Sequence, residues 1–196
     1  LRKEEERAIL ETYGQLRSDT YLKTIDSSSM LGGFLRYADE DIAAMLRDAL
    51  RESNVTTKSA VMSVPAYASF ITLAEMPKIA PPEWATVLPI ESRRYIPVPH
   101  TEVFTNWVVI EGSEESNRMK VLFVAVPRDV ISKYERITHQ MGLELAAIEV
   151  ESFGIVRSLL GADPAPTLVL YFGFESTTAI IIDEGIPNYR DRAIKI

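Results

Sequence analysis

One turn in the sequence combines residue types that can bind an anion. The stretch GFESTT, residues 173–178, lies between two segments that favour β-strands. Successive backbone N–H groups of such a turn can surround an anion, and the hydroxyl groups that follow the glycine can donate to it. An ordinary hairpin turn is the alternative interpretation. Glu175 favours that alternative, because a carboxylate repels a bound anion unless a metal ion intervenes.

The other residue types that serve catalysis or metal binding are isolated along the chain. His100 and His139 have no Asp or His at ligand spacing, and the chain contains no cysteine. A disulfide framework, a Cys-ligated zinc site and a thiol nucleophile are therefore excluded. No G-x-S-x-G or Ser-x-x-Lys motif occurs. We predict that both histidines are structural or surface residues, with His139 in the last turn of a helix.

The paired carboxylates have simpler interpretations than acid–base catalysis. Glu114 and Glu115 are predicted to lie at the tip of a solvated loop. Glu149 and Glu151 alternate with Val150 and so share one face at a strand end. We predict that these two carboxylates accept hydrogen bonds from the free N–H groups of a helix that begins near residue 152.

Hydrophobic periodicity predicts a mixed α/β chain around these residues. Helices are predicted at residues 1–20 (a short helix and a polar connector), 39–54, 83–94, 129–141 and 152–160. Strands are predicted at residues 59–64, 69–75, 103–111, 119–126, 143–150, 167–172, 177–183 and 186–192. The first two strands form a pair joined around Pro65-Ala66, and the last three form a meander. By their spacing, four aromatic residues are predicted to belong mostly to the core, and one or two of them could instead line a groove for a partner: Trp84, Tyr95, Phe104 and Trp107.

Charge and hydropathy exclude several classes of partner. The chain has 21 basic and 28 acidic residues, a formal net charge of −7, and its closest basic cluster is Arg93-Arg94. Direct nucleic-acid binding and a polybasic contact with anionic lipid are therefore not expected. The longest apolar runs, such as residues 121–127, are too short to cross a bilayer. The first six residues are too charged for a signal peptide, so we expect no direct membrane insertion.

Three stretches of the chain resemble one protein family. The most specific is IESRRYIPVP, residues 90–99, in which a predicted helix leads into a Tyr-Ile-Pro-x-Pro run and is followed by Glu102 and Trp107. The others are VMSVP at residues 61–65 with a later Glu-Met-Pro, and the segment from residue 124 to the Gly-Ile-Pro at residues 185–187. From about residue 20 onward, the chain resembles the type IV pilus assembly protein PilM family, relatives of the cell-division protein FtsA.

The resemblance implies the fold class and the domain organisation. The expected fold is α/β, a fragment of an actin-like fold of the FtsA and PilM type, with mixed sheets. The expected parts are the remainder of the first lobe, the inserted α/β subdomain, a crossover of helices and a strand, and the first hairpins of a truncated second lobe. Their limits are residues 1–58, 59–126, 127–165 and 166–196, respectively.

The resemblance also assigns a role to the turn that can bind an anion. Gly173, Ser176 and Thr177 correspond to the turn that contacts the terminal phosphates of a nucleotide in actin-like ATPases. The family form has an Asp two residues before the glycine, whereas this chain has Tyr171. We therefore expect no catalytic residue, no metal site and no nucleotide hydrolysis. No cofactor is expected on this part of the chain, and ATP with magnesium stays an open question for an intact protein.

The functional expectation is a non-catalytic scaffold of the pilus machine. In the PilM family the protein binds the N-terminal tail of its membrane partner PilN, and the resemblance implies the same role here. The protein would then be cytoplasmic and peripheral to the inner membrane, with self-association as a further option. Two alternatives are left open, an actin-like ATPase whose nucleotide cycle drives assembly and an FtsA-like division protein.

Overall fold

The structure is a computed structural model that describes residues 2–4, 7–26, 33–110, 117–160, 165–173, 177–183 and 186–188. The helices are α1 (Asp39–Glu52), α2 (Trp84–Glu91), α3 (Arg128–Gln140) and α4 (Glu151–Leu160). The strands are β1 (Arg2–Glu4), β2 (Arg7–Ile9), β3 (Ser59–Val64), β4 (Phe70–Pro77), β5 (Val103–Ile110), β6 (Arg118–Pro127), β7 (Glu144–Val150), β8 (Thr167–Phe172), β9 (Thr177–Asp183) and β10 (Ile186–Asn188). The chain divides into two compact units, residues 1–62 with 132–148 and residues 63–131 with 149–196.

The core of the first unit forms around α1 and α3. Acidic residues fill the first turn of α1, where they complement the helix dipole. Ile42 and Ala43 of α1 are fully buried against Ile137 of α3. The helix ends at Glu52, and Asn54 just beyond it has a φ of +54°, the left-handed conformation that commonly stops a helix. Gly142, two residues past the end of α3, likewise has a φ of +68°.

The second unit contains an antiparallel sheet with the strand order β4-β6-β5. Apolar side chains alternate along these strands and bury one face of the sheet together with Leu88 of α2. Phe123 is fully buried at the centre of this core and stacks on Tyr95 with ring centroids 5.8 Å apart. Trp84 and Trp107 meet edge to face at 6.4 Å. The predicted core positions of Trp84, Tyr95 and Trp107 are confirmed.

A second sheet of this unit is the meander β10-β9-β8. Its register places Leu168 opposite Ile181 and Phe172 opposite Thr177. Val169, Ile180 and Ile182 are buried, so one face of the hairpin belongs to a core. The predicted strands at residues 167–172 and 177–183 are confirmed. The predicted continuation of the last strand beyond residue 188 lies outside the described residues.

Two predictions about local structure are wrong. The described residues 2–4 and 7–20 contain no α-helix, because β1 pairs with β2 and the chain then runs without regular structure to a 3₁₀ turn at Ser18–Thr20. A contact with the end of α1 holds this segment: the Thr12 hydroxyl donates to the Ser53 carbonyl at 2.7 Å. That bond satisfies a carbonyl group that the helix leaves free.

The second wrong prediction is the pairing of β3 with β4. The structure pairs β3 with β7 and β4 with β6, so the two strands belong to different sheets. A 3₁₀ turn at Ala66–Ala68 separates them, and the Ala66 N–H donates to the Glu151 carboxylate at 2.9 Å. The hydrogen bond to a residue far along the chain redirects the backbone before β4 begins.

Candidate functional site

The hairpin β8–β9 carries the predicted phosphate turn. Gly173 directly follows β8, and Thr177 opens β9 opposite Phe172. Ser176, like Glu175, lies outside the described residues. The Thr178 side chain is 2% exposed, and its hydroxyl has no hydrogen-bond partner among the described residues. The structure therefore brings Gly173 and Thr177 to the same end of one hairpin, and their role toward a phosphate stays a prediction.

The side chains around this turn offer little chemistry. Tyr171 is opposite Thr178 in the register, and its phenol is partly exposed. The exposed face of β8 is apolar, with Leu168, Leu170 and Phe172 all more than half exposed. In the part of the chain that the structure describes, no three His, Asp or Glu residues come together as a group that could hold a metal ion. An anion at this hairpin would therefore depend on backbone N–H groups and hydroxyls.

A buried ionic network joins α1 to α3 in the first unit. Lys133 is 1% exposed, and its ammonium group donates to the Tyr37 carbonyl at 2.8 Å and to Asp39 Oδ1. Arg136 Nε donates to Asp39 Oδ2 at 2.6 Å. Burial opposes the ionisation of Asp39, but the hydrogen bonds from Lys133 and Arg136 outweigh it and lower the pKa of this carboxyl. The network leaves Lys133 no access to an external reactant.

An open groove of about 450 Å³ lies beside this network. The residues that line it include Asp26, Asp39, Glu40 and Arg136. Nearby, Asp41 accepts hydrogen bonds from the Lys23 and Thr24 N–H groups, and the bond from Thr24 is the main cause of its lowered pKa. Carboxylates and a guanidinium can bind polar groups.

The paired carboxylates at the start of α4 have structural partners. The Arg157 guanidinium donates to both oxygens of Glu149, at 2.8 and 2.9 Å, and this bond raises the pKa of Arg157. Glu151 accepts the Ala66 N–H described above. These partners differ from the predicted ones, the free N–H groups at the start of α4, although both carboxylates do make structural contacts. Glu114 and Glu115 lie outside the described residues.

The most specific sequence motif, residues 90–99, is mainly a packing element. Ser92 is fully buried, and Ile96 is 4% exposed in the same core as Tyr95. Glu91 and Arg94 form a salt bridge at 3.0 Å on the outside of the turn that follows α2. The motif thus fixes α2 on the sheet, and its residue types reflect the core of the second unit rather than a reactive site.

Phe104 is the one of the four aromatic residues that lies outside the core. Phe104 on β5 is 48% exposed instead of belonging to the core, and the Arg128 guanidinium lies 4.1 Å from the centre of its ring. Phe104 follows the buried Val103 in β5, so the alternation of the strand places it on the other face of the sheet. Val108, four residues later, is 58% exposed on the same face.

The family model described as type IV pilus assembly protein PilM matches residues 12–163, more than three quarters of the chain. The chain belongs to the PilM family. A chain of the PilM–PilN type IV pilus biogenesis complex is similar in fold, with a TM-score of 0.66 and 20% identity over 79% of this chain and 47% of that one. None of the curated proteins is detectably similar in sequence.

A second solved structure is the cytoplasmic domain of EpsL, an inner-membrane component of the type II secretion system of Vibrio cholerae. Its TM-score is 0.54, with 15% identity over 81% of this chain and 57% of that one. These likenesses confirm the actin-like α/β fold of this PilM-family chain, which spans about half the length of the solved relatives. Among the described residues no helix is long and apolar enough to cross a membrane.

Proposed function

We propose that this PilM-family protein is a scaffold of the inner-membrane assembly complex of the type IV pilus. The observation that carries the proposal is the family match over residues 12–163, which extends across both units. The likeness to a chain of the PilM–PilN complex supports it, because the same fold there belongs to a pilus assembly. The chain itself would supply a folded surface to which a membrane-anchored partner attaches.

The partner in this proposal is a PilN-like inner-membrane protein that inserts its N-terminal tail into the scaffold. A tail that is extended before binding can form backbone hydrogen bonds along its whole length and seat alternate side chains in pockets. Such a tail pays an ordering entropy when it binds, so the expected affinity is moderate, with a Kd of roughly 1–10 μM. The partner would hold the protein on the cytoplasmic face of the inner membrane.

The scaffold is proposed to work without nucleotide hydrolysis. Tyr171 stands where the resemblance expects a carboxylate, and a phenol does not position a metal-bound water as a carboxylate does. The proposed contact of Gly173, Ser176 and Thr177 with a phosphate would then be a binding contact at most. The buried amine of Lys133 is committed to Asp39 and Tyr37 and contributes no catalysis.

Calorimetric titration tests the proposal. The chain is titrated with a synthetic peptide of the N-terminal tail of the PilN-like protein, with a scrambled peptide as control, in the presence and absence of ATP and magnesium. We expect one-to-one binding of the tail alone, with a Kd that nucleotide does not change. No heat from the native tail would contradict the scaffold role. A tail affinity that depends on ATP would instead support the actin-like ATPase alternative.

A further inference from the structure

The strand β5 forms one edge of the sheet β4-β6-β5 and has no partner on its outer side among the described strands. It is eight residues long, Val103–Ile110, with the sequence VFTNWVVI. An edge strand of this length presents a row of free N–H and C=O groups to any second strand that can approach. Proteins usually protect such an edge with charged side chains, prolines or bulges.

The hydrogen bonds at the start of β5 show which groups point outward. The Arg128 N–H donates to the Glu102 carbonyl at 2.8 Å, so the main-chain groups of the even-numbered residues face β6. Pro127, which has no N–H, is opposite Val103 in the register. The outer edge therefore presents the groups of the odd-numbered residues. Consistently, the Trp107 N–H is accepted by the Asn106 side chain at 2.8 Å rather than by β6.

An apolar strip runs along this edge. Phe104 is 48% exposed and Val108 is 58% exposed, whereas their neighbours on β6, Val126 and Leu122, are buried. On this face of the sheet, the two side chains of β6 are therefore buried, whereas the two of β5 are exposed to solvent. Burial of the strip by an added strand would remove exposed apolar surface next to a surface that is already buried.

The charge distribution favours a second copy of the chain as the added strand. The chain carries a net charge of −7, so two copies repel each other over most approaches. The strand β5 contains no charged residue between Val103 and Ile110, so its central residues would not oppose like charges of a second copy. The charged groups beside it are Glu102, which precedes the strand, and Arg128, whose guanidinium lies over Phe104.

We propose that β5 pairs antiparallel with β5 of a second copy about a two-fold axis at Asn106. In this register Phe104 is opposite the partner's Val108. Thr105 exchanges hydrogen bonds with the partner's Trp107, whose N–H exchanges its bond to the Asn106 side chain for one to the new strand. Aromatic and β-branched residues are favourable cross-strand neighbours, and they approach most closely in non-hydrogen-bonded pairs such as this one. A register shifted by two residues would instead place the Asn106 amide opposite Phe104 or Val108.

The small size of the contact determines its strength. One strand pair with two apolar contacts buries less than the roughly 1,200 Å² found in stable complexes. The dimer is therefore weak, with a Kd of about 10–100 μM, and it forms where the protein is concentrated. Because the net charges repel while the strands attract, added salt strengthens the dimer instead of dissociating it.

Sedimentation equilibrium over about 5–500 μM, a range that spans the expected Kd, tests the association. We expect the average mass to rise from 22.0 kDa toward twice that value, and to rise further with salt. Val108→Lys should keep the chain monomeric, and a thermal melt checks that the variant is folded. The matched control is Val61→Lys on β3, where Val61 is 65% exposed. A monomer at every concentration, or equal loss in both variants, would overturn the proposal.

Cysteine cross-linking tests the register of the pairing. Because the chain has no cysteine of its own, an introduced cysteine is the only thiol that can form a disulfide. Paired Cα atoms at Asn106 would lie about 4.5 Å apart, within the range of a disulfide. Asn106→Cys should form a disulfide dimer under mild oxidation at least tenfold faster than Val61→Cys. A mixture of Phe104→Cys and Val108→Cys should cross-link far faster than either variant alone. Equal rates for Asn106→Cys and Val61→Cys would exclude this pairing.

Discussion

The two sheets of the second unit use similar strands in different surroundings. In β4-β6-β5 the side chains on one face pack with α2 and the residues that follow it, and Phe123 is fully buried there. In β8–β9 one face is also buried, but Leu168, Leu170, Phe172 and Ile181 on the other face are all about half exposed or more. In both sheets, alternating apolar residues form strands. An apolar residue contributes to the stability of the fold only where another element packs on its face of the sheet.

The largest expected difference in stability is between a substitution on the buried face of β6 and one on the exposed face of β8. Phe123→Ala removes a buried ring that stacks on Tyr95 and leaves a cavity, so the free energy of unfolding should fall by about 3–5 kcal/mol. Phe172 is 72% exposed, and Phe172→Ala should change the same quantity by less than about 0.5 kcal/mol. Urea denaturation measures both variants. Similar losses would mean that the outer face of β8 is packed in solution.

The second-largest expected loss of stability comes from breaking the buried ion pair of the first unit, which is compared with an exposed salt bridge. Asp39→Asn leaves the buried ammonium of Lys133 without its counter-charge and should cost about 3 kcal/mol in urea denaturation. The control is Asp19→Asn, because the salt bridge of Asp19 with Arg17 is exposed and is expected to contribute less than about 0.5 kcal/mol.

The same network predicts a pH dependence. The pKa of Asp39 is lower in the folded chain than its ordinary value, so the folded state holds this proton less tightly than the unfolded state. The carboxylate thus contributes stability above its unfolded pKa, and this contribution is lost as the pH falls through its folded pKa. Asp39→Asn should have a flatter stability curve than the parent below about pH 4. Parallel curves would contradict the role of this ion pair.

A smaller effect is expected where the irregular N-terminal segment meets α1. A Cβ atom on Gly14 would lie 2.0 Å from Ser53 Oγ and 3.2 Å from the Ala49 carbonyl oxygen. Gly14→Ala should therefore cost about 1–2 kcal/mol through overpacking. Adding Ser53→Ala removes the nearest atom and should recover part of the loss, which a double-mutant cycle measures. Additive losses would show that the two residues do not touch.

The smallest effect concerns the exposed edge of the better-packed sheet. Arg128→Gln removes the cation over Phe104 and should cost about 0.5–1 kcal/mol, as expected for an exposed cation–π contact. Arg118→Gln is a fair comparison, since it breaks the exposed salt bridge with Glu75. Its expected cost is below about 0.5 kcal/mol. Thermal denaturation of the two variants should rank Arg128→Gln as the less stable one.

Most secondary structure was predictable because it depends on local periodicity and on stop residues. The limits of α3 and its stop at Gly142 follow from apolar spacing and a residue that tolerates positive φ. The error at residues 1–20 has a tertiary cause. The spacing of Ile9, Tyr13 and Leu16 suits a helix, but Ile9 pairs within β2, and the hydrogen bond from Thr12 to Ser53 holds the segment that follows against the end of α1.

The candidate sites were less predictable than the fold. The sequence pointed to Gly173, Ser176 and Thr177 by resemblance, and their phosphate contact stays a prediction, as do the domain limits at residues 58, 126 and 165. The buried network of Lys133, Asp39 and Arg136 joins residues more than ninety positions apart. No local sequence pattern predicts this network, because a lysine on an amphipathic helix usually extends its charged group into solvent.

By itself, the sequence determined the α/β class, the family and the order of most helices and strands, since each depends on short-range spacing and on a specific motif at residues 90–99. The tertiary structure alone decided that β3 pairs with β7 instead of β4 and that Phe104 and Val108 stay exposed. The alternation of residues along a strand predicts only that the two faces of the sheet differ in composition. Which face is buried depends on long-range packing, because burial requires a covering element that can come from anywhere in the chain.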